Sequence, residues 1–155
     1  MMKTIVGDIL ANVTKDAIIV HGCNAQGVMG GGIALQIKNL YPRAFAAYRK
    51  HLERCLEDGC YDEKVLGGGV LVDVRNNLHI ANMITQNKFG TDKRQANYEA
   101  IAHAFELVAK SSDEHGLPIH YPMIGAGLAG GNWTIISTII NETLGDRDHT
   151  LWVLK

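Results

Sequence analysis

The stretch AIIVHGCNAQGVMGGGIALQI, residues 17 to 37, decides the fold class because it joins an apolar strand to a glycine-rich loop and then to a helix. Five of the eleven residues from Gly22 to Gly32 are glycine. A helix start carries unpaired N–H groups and the positive end of the helix dipole, and glycine lets a phosphate approach the backbone closely. The stretch therefore predicts an anion site suited to a diphosphate. The alternative is a set of glycines that only makes a tight turn.

A second glycine loop, PMIGAGLAGGNW at residues 122 to 133, repeats this order between a short strand and another helix. It contains a GxGxxG match, but a dinucleotide fingerprint belongs in an opening βαβ unit with an acidic residue about 20 positions on. Only 25 residues follow Gly130, and none supplies that acid at the end of a second strand. Neither loop ends in the Gly-Lys-Ser/Thr of a Walker A motif. The two loops are instead expected to clamp a diphosphate from both sides.

The rest of the chain alternates strand and helix patterns, which predicts one α/β domain over residues 1 to 155. Asn76-Asn77 between two strand-like runs predicts a hairpin turn, and hence an antiparallel portion of the sheet. The expected fold is a three-layer α/β/α sandwich with a mixed, mostly parallel sheet, in which ligands bind beyond the carboxyl ends of strands. Strands are predicted at Thr4 to Val6, Ala17 to His21, Val70 to Val74, Leu78 to Ile84, Ile119 to Pro122 and Thr150 to Leu154, and helices at apolar stripes starting from Ile33, Phe45, Tyr98 and Ile136.

Charge and composition limit the partners. Fifteen Lys and Arg against sixteen Asp and Glu give a formal net charge of −1, so electrostatic nucleic-acid binding is not expected. The longest apolar runs fall short of the roughly 18 residues of a membrane span, and MMKTIVGDIL lacks the continuous apolar region of a signal peptide, which predicts a cytoplasmic protein. Cys23, Cys55 and Cys60 lack a paired CxxC spacing. Neither a disulfide framework, a metal site nor a cofactor is therefore predicted.

Three segments together resemble the macro domain, an ADP-ribose-binding fold: GDIL at Gly7 to Leu10, HGCNAQGVMGGGIALQI at His21 to Ile37, and IGAGLAGGNW at Ile124 to Trp133. They occur in the family's order and spacing. The His-x-Cys-Asn start and GGGIALQI before YPRA are most similar to the yeast-type ADP-ribose 1''-phosphate phosphatase branch, which lies near the branch that removes ADP-ribose from glutamate. The resemblance implies a monomer that binds ADP-ribose derivatives or ADP-ribosylated protein.

The resemblance also implies the ligand-binding positions. Asp8 matches the adenine-reading position, with Ile9 beside the ring, and the alternative for Asp8 is a turn or cap aspartate. Asn24 matches the position that contacts the distal ribose, and the alternative is an Asn that bonds its own loop backbone. The other implied binding positions lie in the two loops: Gly27, Val28, Met29, Gly30, Gly31, Gly32, Ile33, Ile124, Gly125, Ala126, Gly127, Leu128 and Ala129.

The predicted catalytic residues are His21, by its match to the phosphatase branch, and Asn24 beside it. An imidazole titrates near neutrality, so His21 could deprotonate an attacking water or protonate the departing sugar oxygen. The alternative is a strand-end histidine satisfied within the core. His79 and His120 are predicted to be structural, and Cys23 is predicted to be a buried thiol rather than a nucleophile.

Two positions depart from the glutamate-hydrolase branch. Gln86 stands where that branch has a lysine after MIT, and Ala129 stands where it has an aspartate. Removal of ADP-ribose from glutamate is therefore the least expected activity. Hydrolysis of ADP-ribose 1''-phosphate is the leading hypothesis, and a non-catalytic reader of ADP-ribose is the second, because both need the same pocket and only His21 favours catalysis.

Overall fold

Six strands and five helices alternate along the described part of the chain, which in this computed structural model comprises residues 2–58, 65–86, 96–126 and 130–154. All six predicted strands and the four predicted helices are present, with ends shifted by a few residues. One short helix was not predicted. The strands are β1 (Lys3–Val6), β2 (Ala17–Asn24), β3 (Gly69–Arg75), β4 (Leu78–Gln86), β5 (Ile119–Tyr121) and β6 (His149–Val153), and the helices are α1 (Ile9–Asn12), α2 (Gly32–Leu40), α3 (Pro42–Glu57), α4 (Tyr98–His115) and α5 (Trp133–Leu144).

The strands form one mixed sheet in the order β1-β6-β5-β2-β4-β3. Every neighbouring pair is parallel except β3 with β4, which are antiparallel. Asn76 and Asn77 connect β3 to β4 with positive φ angles of 51° and 59°. Two successive positive φ angles are typical of a type I′ hairpin turn, in which asparagine is favoured. The predicted hairpin and the mixed sheet are therefore confirmed.

Helices cover both faces of the sheet, which confirms the predicted three layers. Ile18 and Val20 of β2 lie in a core cluster with the apolar side chains of α4 and α5. Ile19, between them in sequence, lies in a second cluster with residues of α1, α2 and α3. This alternation follows from the two-residue period of a strand, whose side chains point to opposite faces. Because both faces of β2 are covered, its sequence is almost continuously apolar.

The sheet has its topological switch point between β2 and β5. From β2 the chain continues through α2, α3 and β3 to β4 on one side, whereas from β5 it continues through α5 to β6 on the other. The two connections diverge, so a crevice opens beyond the carboxyl ends of these two neighbouring strands. The first glycine loop follows β2 and the second follows β5, which brings both loops to this crevice.

Capping residues and a proline define the ends of α4 and the start of α3. Asn97 caps α4 by accepting a hydrogen bond from the Ala100 N–H at 2.9 Å, and Gly116 ends this helix with a left-handed φ of 66°. Pro42 begins α3, where its missing N–H costs nothing. Within the described residues, no helix combines the length and apolarity that crossing a membrane requires.

Candidate functional site

The start of α2 has no side-chain cap. Gly31 is the N-cap residue of this helix. By contrast, Asp8, Asn97 and Asn132 place a side-chain oxygen on the first turns of α1, α4 and α5. Since the first N–H groups of a helix have no acceptor within the helix, those of α2 are free of a side-chain cap and face a negative ligand favourably.

The backbone of the first loop requires glycine at two positions. Gly27 has a φ of 82° and Gly32 has a φ of 56°, both in the left-handed region that side chains with a Cβ rarely adopt. Gly31 differs, because its φ of −155° and ψ of 165° are ordinary extended values. The backbone angles at Gly31 therefore do not require glycine.

Asn24 organises the first loop. Its Nδ2 donates to the Val28 carbonyl at 2.8 Å, and its Oδ1 accepts from the Gln26 N–H at 2.9 Å and the Val28 N–H at 3.3 Å. These bonds realise the alternative that Asn24 bonds its own loop backbone. Each amide nitrogen carries two hydrogens, so the bond to Val28 leaves one Nδ2 hydrogen for another acceptor. Contact of Asn24 with a distal ribose stays a prediction.

Two residues of α3 hold the same loop, and sequence reasoning missed both. Tyr48 is fully buried, and its hydroxyl accepts from the Gly27 N–H at 3.1 Å and lies 2.7 Å from the Asn24 carbonyl oxygen. Burial raises the pKa of Tyr48, so the hydroxyl keeps its proton. Arg49 donates to the Gly27 carbonyl at 3.2 Å and adds a cation beside the loop. Only the adjacency of Tyr48 and Arg49 within an amphipathic helix was visible in the sequence.

The second loop packs on the core rather than standing clear of it. Ile124 is 3% exposed and belongs to the α4–α5 core cluster, with Ala126 packed against that cluster. Gly125 has a φ of 76°, and its carbonyl accepts from the Gly131 N–H at 2.6 Å. Asn132 caps α5, so the second loop does not repeat the open helix start of the first. The predicted binding positions Gly127, Leu128 and Ala129 lie outside the described residues.

Asp8 and Ile9 lie at the end of β1, where α1 begins. The Asp8 side chain is exposed and its Oδ1 accepts from the Leu10 N–H at 3.0 Å, so the cap alternative is realised. The second carboxylate oxygen, Oδ2, lies outside that capping bond. Ile9 is 6% exposed and packs in the α1–α3 core cluster, with Trp152 against it. The adenine-reading role of both residues stays a prediction.

His21 is a core residue, and its placement favours the structural alternative over a catalytic one. Its side chain is 0% exposed, on the sheet face covered by α3. Asn82 donates through Nδ2 to the Ala44 carbonyl at 3.0 Å, so its Oδ1 accepts from His21 Nε2 at 2.6 Å. Burial lowers the His21 pKa to about 4, and the bond to Asn82 opposes this only in part. The imidazole is therefore neutral and its Nε2 is bonded to a buried amide within the core.

Cys23 lies in the core. Cys23 is 3% exposed, and burial raises the pKa of its thiol, which agrees with the predicted buried role. Among the described residues, no group of three or more His, Cys, Asp or Glu side chains is arranged to hold a metal ion.

A cavity of about 300 Å³ lies elsewhere, between the β3–β4 hairpin and α4. Leu71, Met83, Leu107 and Lys110 are among the residues that line it. It contains none of the predicted site residues, so it is separate from the crevice at the loops.

The structure thus brings together only part of the predicted set. The two loops follow the neighbouring strands β2 and β5. Three of the predicted binding side chains are nevertheless packed in the core: Ile9, Met29 and Ile124. Met29 and Ile124 are therefore expected to contact a ligand in the crevice only through their backbone atoms. Val28 and Gly30 are exposed at the loop, and Gly31 and Ile33 are half-buried at the start of α2.

Comparisons with known proteins agree with this architecture. The family model described as Macro domain matches residues 20–140. A relative from Chaetomium globosum named ADP-ribose 1''-phosphate phosphatase is 30% identical over 82% of this chain and 75% of its own length. A Bacteroides thetaiotaomicron protein of unknown function has a similar structure, with a TM-score of 0.86, 30% identity and coverage of 99% of this chain and 98% of that one. A macrodomain protein from Streptomyces coelicolor is 30% identical, with a TM-score of 0.79 and 98% of both chains covered.

Proposed function

We propose that this chain, which belongs to the macro domain family, binds ADP-ribose derivatives in the crevice between its two glycine loops. The diphosphate lies at the start of α2 in this proposal, the adenine near Asp8 and the distal ribose near Asn24. The partners are small ADP-ribose derivatives and, by extension, ADP-ribosylated protein.

One observation carries the proposal: the α2 start has no side-chain cap and lies at the topological switch point of the sheet. Its N–H groups, with glycine at positions 30, 31 and 32, suit a ligand with two adjacent phosphates. The bonds from Asn24 and Tyr48 fix the loop before any ligand arrives. A preorganised site loses less conformational entropy on binding, which favours affinity.

The reaction proposed for this pocket is hydrolysis of ADP-ribose 1''-phosphate to ADP-ribose and phosphate. Water attacks phosphorus and leaves its OH on the phosphate, the bond from phosphorus to the sugar oxygen breaks, and the other proton of the water is transferred to that departing oxygen. The name of the Chaetomium globosum relative supports this reaction. Since His21 is buried and neutral, the backbone donors of the loops supply the positioning and charge stabilisation, on which phosphoryl transfer mainly depends.

A non-catalytic reader of ADP-ribose is the second candidate, and the burial of His21 favours it. His21 was the one feature that tilted the sequence reasoning towards catalysis, and its Nε2 is engaged by Asn82 inside the core. A reader needs the same loops and the same α2 start but no group that transfers a proton.

Two measurements on one preparation distinguish these candidates. Calorimetric titration with ADP-ribose tests the pocket, and AMP serves as a control that lacks the diphosphate. Release of inorganic phosphate from ADP-ribose 1''-phosphate tests the reaction. Binding with release supports the phosphatase, and binding without release supports the reader. If ADP-ribose binds no better than AMP, the proposed pocket is wrong. Loss of label from glutamate-ADP-ribosylated protein would instead support removal of ADP-ribose from glutamate.

A further inference from the structure

Strand β4 has an irregularity at Thr85, where it runs beside β2. Cys23 pairs with Ile84, but Asn24 pairs with Gln86, so Thr85 is passed over in the register. A residue left unpaired in this way is a β-bulge, which bends the strand locally and redirects the side chain it carries. Bulges are frequent next to binding sites, and this one lies beside Asn24 at the carboxyl ends of both strands.

The Thr85 hydroxyl has no hydrogen-bond partner within the described part of the chain, although the residue is only 1% exposed. The Thr85 carbonyl does bond, because it accepts from the Asn97 N–H at 2.9 Å. A buried hydroxyl normally makes a hydrogen bond, because removing it from water without compensation costs free energy. An unpaired one therefore needs an explanation beyond packing.

The hydroxyl lies between the roots of the two glycine loops. A Cβ placed on Gly22 would be 2.5 Å from Thr85 Oγ1 and 3.3 Å from Ile124 Cγ2. Gly22 precedes the first loop, and Ile124 opens the second. The absence of a side chain at Gly22 thus makes room for the Thr85 hydroxyl at the point where the loops approach each other.

We propose that Thr85 is a positioning residue for the distal end of the ligand, and that its hydroxyl gains a hydrogen bond, directly or through one ordered water, when the ligand binds. The partner is a hydroxyl of the sugar beyond the diphosphate. This inference rests on the proposed function. The distal end is assigned because Thr85 shares its bulge with Asn24, whereas Asp8 lies at the end of β1 on the far side of the sheet order.

Thr85→Val tests this role because valine has nearly the same shape and lacks the hydroxyl. Thr85→Ser is the matched control, since it keeps the hydroxyl and loses a methyl group. Each protein is titrated by calorimetry with ADP-ribose and with ADP, which shares the diphosphate but lacks the distal ribose. Thermal unfolding of each is measured without ligand.

We expect Thr85→Val to weaken ADP-ribose binding roughly 3- to 10-fold, the usual worth of one hydrogen bond, and to leave ADP binding unchanged. Its unfolding temperature without ligand should equal or exceed that of the wild type, because an unpaired buried hydroxyl is removed. Thr85→Ser should retain the preference for ADP-ribose over ADP.

Three outcomes would overturn the inference. Equal affinity of Thr85→Val and wild type for ADP-ribose removes the hydroxyl from recognition. An equal loss for both nucleotides means that the substitution distorts the loops. A lower unfolding temperature with unchanged affinity assigns the hydroxyl to a structural water. If the wild-type protein binds neither nucleotide, the proposed function itself fails, and this role fails with it.

Discussion

Replacement of His21 by alanine should destabilise the protein without selectively removing its activity. The side chain is 0% exposed, and its Nε2 donates to Asn82 Oδ1 at 2.6 Å. Its removal leaves a cavity beneath α3 and an unpaired amide oxygen on Asn82, and changes of this kind cost about 2–4 kcal/mol. For a chain of 155 residues, this corresponds to a fall in unfolding temperature of roughly 5–15 °C.

The difference in free energy of unfolding between wild type and His21→Ala should also depend on pH. The His21 pKa is about 4 in the folded protein against 6.5 ordinarily, so the unfolded chain binds a proton first as pH falls. Because the folded protein keeps this imidazole neutral, the free energy of unfolding of the wild type falls as the pH drops from 6.5 to about 4, by about 3 kcal/mol in all. His21→Ala lacks this titration. The stability gap between wild type and variant should narrow over that window, while the lowered pKa values of His120 and His149 affect both proteins alike.

The assay measures urea unfolding from pH 7.5 to 4.5, ADP-ribose affinity and phosphate release on the same preparations. His115→Ala is the control, because His115 is an exposed residue in the last turn of α4. The core role predicts a large loss of stability and a ligand affinity within about 3-fold of the wild type under folding conditions. A variant of wild-type stability that binds normally but releases phosphate about 10²- to 10⁴-fold more slowly would refute this reasoning and make His21 catalytic.

Substitutions at three further positions test the pocket by calorimetry. Asp8→Ala should weaken ADP-ribose binding by about 1–3 kcal/mol and also remove the α1 cap, whereas Asp8→Asn should keep the cap and still weaken binding. If both variants bind ADP-ribose as the wild type does, another residue recognises the adenine. Tyr48→Phe should weaken ADP-ribose binding about 5- to 10-fold, because the hydroxyl that bonds the first loop is lost. The control Tyr121→Phe should lower stability alone, because the Tyr121 hydroxyl bonds His149 away from the loops. If Tyr48→Phe binds ADP-ribose as tightly as the control does, the Tyr48 hydroxyl does not organise the loop. Gly32→Val should abolish detectable binding because a β-branched residue is strained at a φ of 56°, and normal affinity would exclude α2 from the site.

The sequence was sufficient for the fold because its signals were local and unambiguous. Short apolar runs bounded by glycine or asparagine gave the strands, and the Asn76-Asn77 pair predicted the hairpin that the positive φ angles confirm. Helix α1 was missed because four residues, Ile9–Asn12, are too few to show a helical period. Its N-cap, Asp8, was considered as a cap, and that alternative is the one realised.

The contacts of the site were less predictable because they join residues distant in sequence. Tyr48 is 24 positions from Asn24, and Asn82 is 61 positions from His21. Each of these side chains looks ordinary in its own element, a tyrosine on an amphipathic helix and an asparagine in an apolar strand. Their roles arise only when α3 packs on β2 and β4, and no local pattern carries that information.

The side to which His21 points does follow from the strand period, once the helices are placed. Ile19, His21 and Cys23 alternate with Ile18, Val20 and Gly22, and Ile19 and Cys23 pack in clusters with residues of α2 or α3. His21 therefore points beneath α3, even though it is close to the first glycine loop in sequence. The pairing of β2 with β4 is regular at His21, and a bulge follows only between Cys23 and Asn24, opposite Thr85. Thr85 occupies such a bulge and His21 does not, so we expect the distal end of the ligand to be sensed from β4 rather than by the histidine of β2.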